Sequence, residues 1–130
     1  MPLRFVVLHH TGIPEPHYDF MIESTPGGPL YTWRCGEIPT ARGVTSGRRQ
    51  MNHRPLYMEY EGEISGGRGT VQRVVAGRCQ FRKVSKGLWL FVPEIAKYAS
   101  YFIAPTGLIK RLWIIEARGA EMQPSLTDPV

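Results

Sequence analysis

FVVLHHTGIPEPHYDFMIE, residues 5–23, holds three of the four histidines (His9, His10 and His17) and Asp19 within eleven positions. Around that cluster the sequence alternates as strands do. Successive side chains of an extended chain point to opposite faces. His17 and Asp19, two apart, therefore share one face, while Tyr18, Phe20 and Ile22 take the other and read as core. A second strand over Phe5–His10 brings a further imidazole to the same neighbourhood. Two imidazoles and a carboxylate suit a borderline divalent cation such as Mn2+ or Zn2+. The plainer reading, strand-end histidines that hold no ligand, stands beside it.

Working outward, residues 3–10 (LRFVVLHH) and 17–24 (HYDFMIES) are expected strands, joined by a loop that Pro14 and Pro16 stiffen. A turn at TPGGP leads to a third strand, LYTWRC, over 30–35. Residues 36–54 read as one long irregular, basic loop, a length that in a small domain signals function or motion. Further strands are expected at 55–60 (PLYMEY), 70–76 and 78–84 (a hairpin turning at Ala76-Gly77), 86–92, 101–105 and 108–117. One short helix is expected from Pro93 to about Ser100, because proline is tolerated at a helix start and Glu94 complements the dipole. Residues 119–130 carry no apolar period and read as a flexible tail after a single domain over 1–118. About eight short strands with one short helix describe a mainly β protein, a small compact β-barrel.

The chain has 130 residues, one ordinary domain in size, and its 42% hydrophobic content is enough for one core. Between Arg42 and Lys86 ten Arg/Lys stand against three Glu, so the +5 net charge is concentrated in the middle of the chain. A basic section beside a histidine cluster fits nucleic acid or another phosphate polymer, and equally a plain solvated surface. Cys35 and Cys79 are far apart and form no CxxC, which favours two buried reduced thiols over a zinc ribbon or a disulfide framework. The N-terminal apolar run is too short for a signal peptide and no run reaches a membrane span, so the expectation is a cytoplasmic protein with no membrane partner.

The fourth histidine, His53, lies in MNHRPLYMEYEG. FVV-x-x-H, then HYDF-x-x-E, then H-x-P-x-x-Y running into EG-x-I and G-T-V, together resemble the 3′-phosphoesterase domain of bacterial ATP-dependent DNA ligase D and its stand-alone relatives. The resemblance covers residues 4–75. It implies a compact β-barrel that trims DNA 3′ ends, removing a terminal ribonucleoside and a 3′-phosphate with a divalent metal, usually Mn2+. By position it implies His10, His17 and Asp19 on the metal, with His9 open as a substitute for His10 because the loop before His17 is one residue longer than usual. It implies His53 on the scissile phosphate as the catalytic histidine. It also implies nucleic acid as partner, with repair ligase or polymerase chains acting alongside. Several positions depart from the pattern. Met21 stands where the family has a phosphate-binding arginine, Leu8 where it often has glutamine, Glu37 near a lysine, and Met51-Asn52 where an acidic residue precedes the histidine. Arg48, Arg49 and Arg54 of the basic loop are the candidates to bind phosphate instead. The alternative is a catalytically degenerate barrel that binds metal and nucleic acid without turnover.

Overall fold

The computed structural model describes residues 2–39, 43–94 and 100–118. Nine antiparallel strands run β1 (Leu3–Thr11), β2 (His17–Glu23), β3 (Leu30–Cys35), β4 (Val44–Arg49), β5 (Gly62–Glu63), β6 (Thr70–Ser85), β7 (Leu88–Pro93), β8 (Ser100–Pro105) and β9 (Leu112–Arg118). Eight of them close a barrel in the order β1-β2-β3-β4-β9-β8-β7-β6, with β6 pairing back onto β1; β5 is an extra short strand beside the start of β6. The only helix among the described residues is one 3₁₀ turn, Pro55–Met58. The architecture is therefore the expected small β-barrel. The helix expected at 93–100 falls on residues 95–99, outside those described, and Pro93 itself closes β7; the expected tail at 119–130 also lies outside them.

The β-period sorts side chains into two layers. One set fills the barrel interior: Phe5, Val7, Phe20, Ile22, Trp33, Cys35, Trp89, Phe91, Tyr101, Ile103, Trp113 and Ile115. Its rings meet mostly edge to face, as at Phe5–Phe91 (5.1 Å) and Trp89–Trp113 (4.9 Å), the arrangement that aromatic quadrupoles favour. The alternate positions of β1, β2 and β3 form a second, smaller core on the outside of the barrel wall. There Val6, Leu8, Met21, Leu30 and Val71 are covered by Met58, Tyr57, Tyr60 and Ile64 from residues 57–64. Arg4 fastens that cover: it donates to buried Glu23 at 3.2 Å and to Glu59 at 3.0 Å. Hydrogen bonding to Glu23, then to Glu59, raises the Arg4 guanidinium above its ordinary value.

Three expectations fail locally, each for a packing reason. The expected strand at 55–60 is instead the 3₁₀ turn Pro55–Met58 followed by a turn, since Pro55 lacks an N–H for a ladder and suits a helix start. Residues 70–85 form one long strand and no hairpin. β1 holds its first half (Thr70–Cys79) and β7 its second (Cys79–Ser85), and with partners on both halves Ala76-Gly77 stays extended, opposite Val6 and Phe5. Residues 44–49, expected to be loop, are β4. Its inward positions are Thr45, Gly47 and Arg49, because Trp33 and Cys35 already fill that space; a Cβ on Gly47 would lie 3.0 Å from Trp33 Cβ.

Candidate metal centre

β1 and β2 are in register with His10 opposite His17 and Leu8 opposite Asp19. Directly opposed residues share a face, so His10, His17 and Asp19 all project from the outer wall at the end of the outer core. One ligand atom from each lies within 4.8 Å of the others. Asp19 Oδ2 is 3.8 Å from His10 Nδ1, and Oδ1 is 3.3 Å from His17 Nε2. His17 and Asp19 are buried. The choice between His9 and His10 is settled by parity: His9 takes the opposite face and stacks on Tyr18 at 4.4 Å.

The far nitrogen of each imidazole is committed. His10 Nε2 is 2.7 Å from the Arg68 carbonyl, and His17 Nδ1 is 2.9 Å from the Glu15 carbonyl. A carbonyl only accepts, so both nitrogens carry protons and donate. Nδ1 of His10 and Nε2 of His17 are then the nitrogens turned towards Asp19, and each offers a lone pair when its ring is neutral. His17 Nε2 is buried without a hydrogen-bond partner. A buried lone pair aimed at a carboxylate is costly without a cation between them, and a carbonyl on the second ring nitrogen is the usual outer shell of a metal-bound histidine. Ligands held at ~2.1 Å from one ion lie at most about 4.2 Å apart, so side-chain shifts under ~1 Å close this set on a metal. The residues fit a divalent ion, and nitrogen-rich ligation suits Zn2+ as well as Mn2+.

A cavity of about 180 Å³ opens beside the cluster, lined by His10, Asp19, Arg34, His53, Tyr57 and Arg68 over a floor that includes Leu8, Met21 and Val71. His53 enters through a single bridge to Leu30. Its Nδ1 donates to the Met51 carbonyl at 3.0 Å, leaving Nε2 as the free nitrogen. His53, distant in sequence from the other three, thus joins them at one cavity. The arginines expected to bind phosphate do not. Arg49 points into the barrel, its guanidinium within 5.1–5.5 Å of the Tyr31, Trp33, Trp89 and Trp113 ring centres, and burial there lowers its pKa from the ordinary value. Arg54 lies over Tyr57 at 5.9 Å. Arg48 is on the outer face, opposite Arg34, but does not line the cavity. Arg34 and Arg68 are the arginines that line the cavity. Arg34 carries one legible signal, a lone charge in the strand LYTWRC; Arg68, in a glycine-rich turn, carries none.

Fold and site together define a class: a closed β-barrel with an external His/His/Asp cluster able to chelate a metal and support metal-dependent chemistry. No protein-family model matches the chain, and a search of curated proteins finds no similar sequence.

Proposed function

We propose that this protein is a divalent-metal-dependent phosphoesterase of the DNA ligase D 3′-end-processing type, removing a 3′-phosphate or a 3′-ribonucleotide from DNA ends, with Mn2+ as the preferred metal. The observation that carries the reading is the pair of imidazoles whose outer nitrogens are fixed by carbonyls and whose inner nitrogens converge on Asp19. His10 Nδ1, His17 Nε2 and the Asp19 carboxylate would hold the metal. When bound, it supplies Lewis-acid polarisation of a phosphoryl oxygen and a lowered pKa for coordinated water.

The protein's own groups do the rest. His53, with its Nδ1–H anchored to the Met51 carbonyl, presents Nε2 to the cavity. From there it would hydrogen-bond a phosphate oxygen or, as the imidazolium, give its Nε2 proton to the leaving ester oxygen as the P–O bond breaks, a task for which histidine is suited near neutral pH. Tyr57 lines the same wall and its ring sits edge-on to His53 at 5.8 Å, which restrains the imidazole. The apolar floor excludes water from behind Asp19, so charge interactions in the cavity are strengthened. DNA is the proposed partner, with repair ligase or polymerase chains acting on the trimmed end.

One observation favours a second reading, a barrel that binds metal and nucleic acid without turnover. Met21, at the position of the family's phosphate-binding arginine, is fully buried in the cavity floor and offers no polar group. Release of phosphate from a 3′-phosphate primer-template in Mn2+, compared between wild type and His17→Ala, separates the two. Mn2+-dependent release that His17→Ala abolishes is the expected result. A wild type that binds Mn2+ and DNA but releases nothing refutes the enzyme and leaves the binding module.

A further inference from the structure

Two guanidinium groups line the cavity and have no part in the chemistry above. Arg34 of β3 is in register with Asp19, so it stands beside the carboxylate on the neighbouring strand. Arg68 comes from the glycine-rich turn on the opposite side. Its head is braced by its own turn: Nε donates to the Ser65 carbonyl at 2.7 Å and Nη2 lies 3.3 Å from Ser65 Oγ. Among the described residues, neither guanidinium forms an ion pair with a carboxylate. Asp19 is the one acid among the lining residues. Two cations without counter-charges face a cavity whose single carboxylate is directed at the histidines, so the open side of the cavity attracts anions.

We propose that Arg34 and Arg68 are the anion-binding pair of this site, and that they select a dianionic phosphate monoester over a monoanionic diester. The proposal rests on the phosphoesterase reading and narrows its substrate. A guanidinium is a planar fork that binds two oxygens at once. A monoester offers three non-bridging oxygens, enough to engage both forks and a metal together. A diester offers two, and carries half the charge for the same cations to attract. Met21 explains why the clamp comes from β3 and the turn: the β2 position behind the cavity is apolar and buried. Arg68 has a double role, since its carbonyl orients His10 while its side chain faces the ligand. Replacing the side chain with glutamine leaves that carbonyl in place, so ligand binding can be altered without removing the histidine's support.

The test uses methyl phosphate and dimethyl phosphate as probes, at a pH where the first is dianionic, with binding to the Mn2+-loaded protein followed by calorimetry. Wild type should bind methyl phosphate at least about tenfold more tightly than dimethyl phosphate. Arg34→Gln and Arg68→Gln should each weaken methyl phosphate about fivefold or more, and the double variant should lose the preference, while Mn2+ affinity by electron paramagnetic resonance stays within about twofold. A wild type that holds Mn2+ but binds the two esters equally, or a double variant with undiminished methyl phosphate binding, overturns the proposal and leaves the metal site standing. A wild type that holds no Mn2+ overturns the metal reading instead. The arginine pair is then judged on the same ratio in metal-free protein, where both guanidiniums remain.

Discussion

The two faces of the wall made by β1, β2 and β3 are built from alternate residues of the same strands, yet they behave as different materials. The inner face (Phe5, Val7, Phe20, Ile22, Trp33, Cys35) is apolar and rich in aromatic rings and meets the opposite wall of the barrel. The outer face begins with the same kind of apolar packing (Val6, Leu8, Met21, Leu30) but ends in His10, His17, Asp19 and Arg34. The larger apolar core lies on the first face, and the residues able to chelate a metal lie at the end of the second. The barrel thus tolerates buried ionisable groups without placing any of the proposed metal ligands in its interior.

Substitutions can break that division, beginning with the largest effect on the fold. Trp33→Ala removes a fully buried ring that contacts Phe20, Trp89 and Trp113, and should cost about 3–5 kcal/mol. Thermal denaturation should show a midpoint lowered by roughly 10 °C or more. An unchanged midpoint would mean that the interior is not the stabilising face.

Gly47→Ala probes the same interior by overfilling it. The new methyl would meet Trp33 Cβ at 3.0 Å and Cys35 Sγ at 3.2 Å, for a loss of about 1–3 kcal/mol in urea denaturation.

The interior thiols give a pH signature. Burial, then the charges of Asp19 and Glu37, pushes Cys35 from its ordinary 9.0 up to about 12; burial, then Glu23 and Glu94, does the same to Cys79. The folded state therefore holds these protons more tightly than the unfolded chain. Their contribution is fully present below about pH 9 and is lost as pH rises from there towards 12. Denaturation midpoints should fall across that alkaline window. Both thiols should resist a disulfide reagent in the folded protein at neutral pH and react on unfolding.

The smallest effect on the fold is expected on the outer face. Asp19→Asn should not lower metal-free stability, because the change removes a buried carboxylate that faces two imidazole nitrogens and no backbone donor depends on it among the described residues. The same change should weaken Mn2+ or Zn2+ binding by more than about 100-fold, measured by competition with a chelating indicator. A large loss of stability with metal affinity intact would reverse the contrast between the faces.

An unbroken run of β-branched and aromatic residues made β1 legible and alternation made β2 and β3 legible, and with them the barrel class. β4 was hidden by its neighbours: where Trp33 fills the interior, the facing strand must supply Thr45 and Gly47, and a strand with small or polar inward residues looks like a loop. Ala76-Gly77 resembles a turn by composition alone, and only the pairing of β6 with β1 on one half and β7 on the other keeps it extended.

The site divides in the same way. The i, i+2 spacing of His17 and Asp19 places them on one face of any strand, a consequence of local backbone geometry that composition and order suffice to establish. Which of His9 and His10 joins them depends on a cross-strand register, and that register follows from burying Phe5 and Val7 inward. Arg34 and Arg68 reach the cavity, and Arg49 turns away from it, through pairings between strands and turns far apart in the chain. Short-range order along the chain is dictated by sterics and periodicity. Proximity between distant segments is dictated by how the whole barrel packs its aromatic interior.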